Sequence, residues 1–416
     1  MKVLLVNPNR YKSPPVPPIG LEYIAGSLEK EGHKAEIVDL CFSEDWRKDI
    51  DCAVTSFRPD VSGITVRNVD SVLYHVNEFF LDEIKDIVNH VKSRYGLTVI
   101  IGGTGICINS EGILDYLNAD FAIAGPGENT TNELLNEIKN SRSTKKIYNG
   151  KFLTNDPCPR RPFKINYKRY FDSGGIAGFE THKGCSSSCI YCLEANSKVS
   201  FKRIKDVIAE IKGFVDMGYN HFHLCDSEFN ENLDYSIEFC TALINSGMDI
   251  KWAVYMKPGN SNKKLFRLLR DSGVYLVTLS ADSYQKHPVY WSDIEKFITD
   301  AKSEGLKVVV DFLTGFPYED EKKVAQCFDI LKKIQPDSVG VNTYIRLYKS
   351  LHITTIINKD STLKNHLFGN TDDSSFIKPV FYNHISNEKL QQLINGDALF
   401  RIEGLEKRVN YSRVGT

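Results

Sequence analysis

The sequence predicts an α/β protein: a doubly wound parallel sheet, then a partial barrel of six strand–helix units, then a small C-terminal extension. Three observations predict this class. Strand and helix patterns alternate along most of the chain. The strand segments are near-continuous apolar runs, as parallel strands covered on both faces require. An irregular stretch at about 141–175, broken by Pro157, Pro159 and Pro162, splits the alternation into two series. Domains are expected at 1–145 and 176–350, with a linker at 146–175 and the extension at 351–416.

In the first series "KVLLVNP" is a short strand ended by a proline turn, and "IGLEYIAGSLEKEGH" is a helix with Leu21, Ile24, Ala25 and Leu28 on one face. "KAEIVDL" and "DVSGITV" read as strands, and "EFFLDEIKDIVNHVKSRYG" as a helix. "LTVIIGGTG" and "DFAIAGPGEN" are strands running into glycine turns. Ligands of such sheets bind at the carboxyl ends of the strands. Arg67, Asn68 and Asp70 follow the third strand, Gly102 to Gly105 the fourth, and Gly125 to Glu128 the fifth. Glycines there admit a ligand close to the backbone. They also suit plain tight turns, and no full GxGxxG is present.

The second series starts with the strand "IAGFETHKG" and the helix "FKRIKDVIAEIKGFVDMG". Strands "HFHLCDSEF", "IKWAVYMKPG", "VYLVTLSADS", "LKVVVDFLTGFP" and "PDSVGVNTYIRLY" follow, with helices between them. Six units suggest an open barrel with its chemistry at the carboxyl ends of the strands. In the extension, "EKLQQLINGDALF" is a short amphipathic helix and "DSTLKNHLFGNTDDSS" is loop-like.

Lys and Arg number 52 against 53 Asp and Glu, a net charge of -1. A strong polyanion binder would be more basic, so no nucleic-acid partner is expected. No apolar run reaches about 18 residues, so no membrane span is expected. "MKVLLVNPNR" is too short in apolar residues for a signal-peptide core, and a cytoplasmic location is expected. Ten cysteines do not make a disulfide scaffold at this length, and a tight cluster of them reads as a metal site.

That cluster is "THKGCSSSCIYCLEANSK", with Cys185, Cys189 and Cys192 on a loop after the first barrel strand. Small residues Ser186, Ser187 and Ser188 let the loop curl. Thiolates suit iron–sulfur clusters or zinc. Zinc would need Glu194 or His182 as a fourth ligand. Three thiolates on a 4Fe-4S cluster leave one iron open, and an open metal position signals chemistry. Cys158 is isolated, and Cys225, Cys240 and Cys327 lie on regular elements and read as core residues.

The Cys-x-x-x-Cys-x-x-Cys spacing, with Tyr191 before the last cysteine, resembles the radical SAM superfamily. Residues 1–140, through "NPNRYKSPPVPPIGLEYIAGSLEKEGHKAEIVDL", "VSGITVRN", "VIIGGTG" and "IAGPGEN", look like the Rossmann-like cobalamin-binding domain that precedes a radical SAM core in one large enzyme family. The resemblance implies that SAM chelates the open iron and is cleaved, usually to a 5'-deoxyadenosyl radical. It also implies cobalamin held by Thr65, Arg67, Asn68, Gly102, Gly103, Thr104, Gly105, Gly125, Gly127 and Glu128, with the loop "VRNVD" near the lower face of cobalt. The Asp-x-His-x-x-Gly motif of methionine-synthase-like domains is absent. SAM contacts are implied at Tyr191, at Asp226, Ser227 and Glu228, at Lys257, at Ser280 and Asp282, and in the "TGFP" turn at Gly315 and Pro317. "CDSEF" departs from the Gly-Gly-Glu segment of many relatives but still supplies acceptors for an ammonium. Where relatives carry a Tyr-Pro-Gly-Thr-like turn this chain has "YKSLHI"; Tyr344, Arg346 and Tyr348 are substrate-pocket candidates.

The expected activity is therefore methyl transfer to an unactivated carbon of a small molecule, using a 4Fe-4S cluster, S-adenosylmethionine and cobalamin. A one-electron reductant of flavodoxin or ferredoxin type would be the partner. The rivals are a cobalamin-using rearrangement or cyclisation, aminocarboxypropyl transfer from SAM, and a cofactor-binding sensor without turnover.

Overall fold

The first series forms a six-stranded parallel sheet in the order Lys34–Asp39, Lys2–Asn7, Val61–Thr65, Thr98–Gly102, Phe121–Ala124 and Ile147–Asn149. Its strands alternate strictly. Val3 and Leu5 pack with Leu21, Ala25, Leu28, Leu134 and Leu135 on one face. Leu4 and Val6 pack with Ile50, Ile84, Val88 and Ile113 on the other. Helices Ile19–Lys30 and Glu128–Lys139 thus cover one face, and Trp46–Phe57, Leu81–Tyr95 and Ser110–Leu117 the other. Chain order reverses beside Lys2–Asn7, which pairs with both Lys34–Asp39 and Val61–Thr65, and this opens a crevice at the carboxyl ends. The computed structural model describes residues 1–142, 145–151, 160–285, 289–403 and 405.

The second series forms a seven-stranded sheet, all parallel, running Ala177–Phe179, His221–Leu224, Lys251–Met256, Val274–Asp282, Val308–Leu313, Ser338–Asn342 and Phe400–Ile402. Its first six strands are those expected. The seventh comes from the C-terminal extension: Phe400 pairs with Val339, and its ring meets Phe328 with centroids 5.0 Å apart. The core between sheet and helices centres on Phe179, Phe222, Phe239, Trp252, Phe297 and Phe312.

Three local expectations need correction. The segment read as a linker contributes the edge strand Ile147–Asn149 to the first sheet and the helix Tyr167–Asp172, capped by Asn166. The stretch read as loop in the extension holds the strand Leu367–Gly369, which joins Val380–Tyr382 and Ile345–Arg346 in a small antiparallel sheet. Cys225, read as core, is exposed, whereas Cys240 and Cys327 are buried; Cys158 lies outside the described residues.

A buried polar knot joins the halves. Arg160, its side chain 1% exposed, donates to Glu22 at 2.5 Å and to Glu210 at 2.8 Å. It thereby bridges a helix of the first sheet to the first helix of the second. No helix among the described residues is long and apolar enough to cross a membrane.

Candidate cofactor site

The cysteine loop leaves the first barrel strand and is pinched at its base. His182–Lys183 pairs antiparallel with Ser200–Phe201. Cys185 N donates to Ser197 Oγ at 2.8 Å, and Ser197 N to Cys185 O at 3.0 Å. Gly184 makes the turn possible: its φ is +90°, and a Cβ there would strike the Lys198 carbonyl. Cys185 is buried, Cys189 half-buried and Cys192 exposed, and all three are free thiols.

The donor set fits a cationic cluster. Burial raises all three thiol pKa values, that of Cys189 to about 11, where Asp282, Cys192 and Cys185 add repulsion. Such thiols ionise only beside strong positive charge, which iron supplies. Among the described residues no three His, Cys, Asp or Glu side chains group tightly enough for a single ion. Of the two side chains considered as a fourth zinc ligand, Glu194 is taken by Ser227, and His182 is held by Asp226 at 3.0 Å through Nδ1.

The residues expected around SAM do gather at this edge, with several corrections. Asp226 does not offer an acceptor to a ligand. Its side chain is fully buried and accepts from Thr181 N at 2.7 Å, from Thr181 Oγ1 and from His182. Lys257 is paired with Glu231 at 2.8 Å and reaches Ser186 and Ser187, so it holds the cysteine loop. Asp282 Oδ1 accepts Tyr284 N and Gln285 N, and its Oδ2 accepts Tyr191 Oη at 3.3 Å and Gln285 Nε2 at 3.4 Å. Gly315 and Pro317 are buried, and the Tyr191 ring faces Phe316 at 5.5 Å. Ser227 binds Glu194. Glu228 keeps one buried oxygen without a hydrogen-bond partner among the described residues; burial raises its pKa to about 7, and Ser280 hydrogen-bonds it.

Two site residues escaped the sequence reading. Glu231 accepts Ser186 N at 3.1 Å and Ser186 Oγ at 2.6 Å besides Lys257. Glu319 accepts Thr314 Oγ1 at 2.8 Å, Phe316 N at 3.2 Å, Gly315 N and Ser283 Oγ. An acid four residues after Gly315 in "TGFPYED" was the available signal for Glu319; "FNENL" held none for Glu231.

Across the junction lie the glycine loops. Gly103 has φ +103°, and a Cβ there would meet Val66 O at 2.6 Å and Thr65 Oγ1 at 2.9 Å. Gly105 N donates to Val66 O at 2.9 Å and Thr104 Oγ1 to Arg67 O at 2.7 Å, lacing two strand ends together; Val66 N donates to Gly102 O. Thr65, Arg67 and Asn68 line a cavity of about 130 Å³ at the crevice. Gly125 and Gly127 end the fifth strand half-buried. Glu128 Oε2 is a buried acceptor without a hydrogen-bond partner among the described residues, next to the glycine turn, and could accept from an amide of a bound group. The other Glu128 oxygen takes Lys183 Nζ at 3.1 Å, two residues before Cys185. Burial opposes the Lys183 charge, yet Glu180 and Glu128 hold its pKa above the ordinary value.

Tyr344, Arg346 and Tyr348 do not form one pocket wall. Tyr344 stacks on Tyr74 at 4.0 Å, and Arg346 is buried in an ion pair with Asp70, under the Tyr348 ring.

Comparison with known proteins gives the same two halves. The B12 binding domain family matches residues 13–135, and the Radical SAM superfamily matches residues 179–331. Tryptophan 2-C-methyltransferase of Streptomyces laurentii is 24% identical, the alignment covering 83% of this chain and 72% of that one. An uncharacterized methyltransferase of Pyrococcus horikoshii is 25% identical, covering 81% and 79%. The solved structure of the radical S-adenosylmethionine methyltransferase TsrM from Kitasatospora setae, with cobalamin and a 4Fe-4S cluster bound, superposes with a TM-score of 0.85. It is 21% identical over 95% of this chain and 90% of that one.

Proposed function

We propose that this chain, which belongs to the cobalamin-dependent radical SAM enzymes, is a methyltransferase acting on carbon in a small molecule. The observation that carries the reading is the Lys183–Glu128 ion pair, which sets the three-thiol loop directly against the glycine-rich edge of the B12-type domain. Bound there, the cluster and SAM supply one-electron cleavage chemistry, and cobalamin supplies a methyl carrier.

The chain's own groups bind, orient and exclude water. Cys185, Cys189 and Cys192 would hold the cluster, with Glu231 and Lys257 bracing their loop. Tyr191, Phe316 and Tyr284 form an aromatic wall, Tyr284 and Phe316 having ring centroids 5.2 Å apart. Glu228, whose pKa burial raises to about 7, exchanges between its neutral and ionised forms near neutrality and so offers either a donor or an acceptor toward SAM. Thr65, Arg67, Asn68 and the turns at 102–105 and 125–127 would hold cobalamin. Electrons would come from an external reductant of flavodoxin or ferredoxin type. Tryptophan, named for the Streptomyces relative, is the first acceptor to try.

The test is anaerobic incubation of the reconstituted enzyme with reductant, candidate acceptors and SAM labelled in the methyl group. The expected result is label on a carbon of the acceptor. SAM consumed without a methylated product would favour a rearrangement, methylthioadenosine would favour aminocarboxypropyl transfer, and no SAM consumption would favour a sensor.

A further inference from the structure

Arg346 is aimed at protein. Its side chain is 4% exposed, and Nε donates to Asp70 Oδ2 at 2.8 Å. Nη1 donates to Leu347 O at 2.5 Å, and Nη2 to Ile377 O at 2.9 Å and Phe376 O at 3.2 Å. Three of these acceptors belong to the C-terminal part of the chain. Asp70 does not: it sits in the first domain, with its side chain fully buried.

Asp70 in turn shapes the loop between the strand Val61–Thr65 and the helix Leu81–Tyr95. Its Oδ1 accepts Val72 N at 2.8 Å and Asn77 Nδ2 at 3.4 Å. Its backbone bridges to Phe79. Val72 has φ +55°, a region that β-branched residues rarely enter. The loop is therefore held in a shape its sequence does not favour. Two further ties run to the C-terminal part: Tyr74 stacks on Tyr344 with an interplanar angle of 10°, and His75 Nε2 meets Asn387 Nδ2 at 3.0 Å.

The near end of this loop carries Arg67 and Asn68, and its far end Glu78 and Phe80. All four line the cavity at the crevice. A buried carboxylate fixes its neighbours only while its counter-charge is present. We propose that Arg346 is a positioning residue that acts through Asp70 to hold Arg67 and Asn68 at the wall of the cobalamin site. The small antiparallel sheet of the C-terminal part, which carries Arg346, thereby sets the geometry of the cobalamin side. This rests on the cobalamin reading of the first domain.

The test uses the full chain titrated with hydroxocobalamin, then reduced for electron paramagnetic resonance of the bound cob(II)alamin. Asp70→Asn and Arg346→Met are each expected to weaken cobalamin binding about ten-fold or more, as loss of a supporting partner does at metal sites. They are also expected to change the resonance spectrum, which reports the surroundings of cobalt. Iron uptake by the cysteine loop should stay at the wild-type level. The double variant should lose no more than the worse single variant, since the two residues act as one unit. Arg346→Lys keeps the charge without the planar fork and should fall between wild type and Arg346→Met. If Arg346→Met does not fold, Asp70→Asn, which keeps the shape of the side chain, decides alone. Wild-type affinity and spectrum in Asp70→Asn would overturn the proposal. Failure of the wild type itself to bind hydroxocobalamin would instead remove the cobalamin reading on which it stands.

Discussion

Glu319 carries a task that no motif announces. Its carboxylate gathers the Thr314 hydroxyl and the Gly315 and Phe316 amides, and reaches across to Ser283, beside Asp282. Both strand ends that flank the expected adenosine position thus rest on one acid. Glu319→Ala leaves several buried donors without acceptors. It is expected to weaken binding of SAM, or of its non-reactive analogues, by about ten-fold, by analogy with lost supporting partners at metal sites. Calorimetric titration checks this. Glu228 gives a pH signature. Burial raises its pKa to about 7 in the folded chain, so between its ordinary value and there the folded state binds more protons than the unfolded one. Stability must then fall as pH rises through this window. Glu228→Gln lacks the titrating proton, and its melting temperature should gain on the wild type between about pH 5 and pH 8. An equal pH dependence in both proteins would show that the group is not buried as described. At this scale the spacing of the three cysteines and Tyr191 was visible in the sequence, and the structure sets them on one loop with Tyr191 beside Phe316 and Asp282. Asp226, Lys257 and Arg346 were misread because only the fold reveals which partners claim their charges.

The cysteine loop is an element with a narrow sequence tolerance. Its base closes through the two-residue ribbon His182–Lys183 with Ser200–Phe201, and Gly184 sits under the Lys198 carbonyl with φ +90°. Gly184→Ala cannot keep that turn without moving the loop. The expected outcome is a folded chain that incorporates markedly less iron and sulfide on reconstitution, read by metal analysis and absorbance. Strands and helices with long apolar periods were legible, from "KVLLVNP" to "PDSVGVNTYIRLY". The elements that escaped are short or weakly patterned. Ile147–Asn149, Leu367–Gly369 and Phe400–Ile402 have three residues each, too few to show a period. They are strands because a neighbouring edge pairs with them, which is a property of the assembled sheet. Trp46–Phe57 is a helix with mixed polarity whose visible signal was the Asp45 cap, accepting from Arg47 N and Lys48 N.

The whole molecule depends on how its halves are joined. Arg160 and Glu22 are almost wholly excluded from water, with Glu210 beside them. Arg160→Met strands two carboxylates and should destabilise the chain by about 3–5 kcal/mol, measured by denaturant unfolding. The junction also aligns the sites: Lys183 beside the thiols meets Glu128 beside the glycine turns, and Arg346 meets Asp70. The two-domain order was legible in sequence. The cross-links were not, because each joins residues 50 or more positions apart. The central claim is that both halves serve one methyl transfer. It is tested most directly by following labelled methyl from SAM to acceptor carbon in three preparations: the complete enzyme, the enzyme without cobalamin, and Cys185→Ala. The account predicts labelled product only from the first. Label reaching carbon without cobalamin or in Cys185→Ala, or never reaching carbon although the complete enzyme consumes SAM, would contradict it.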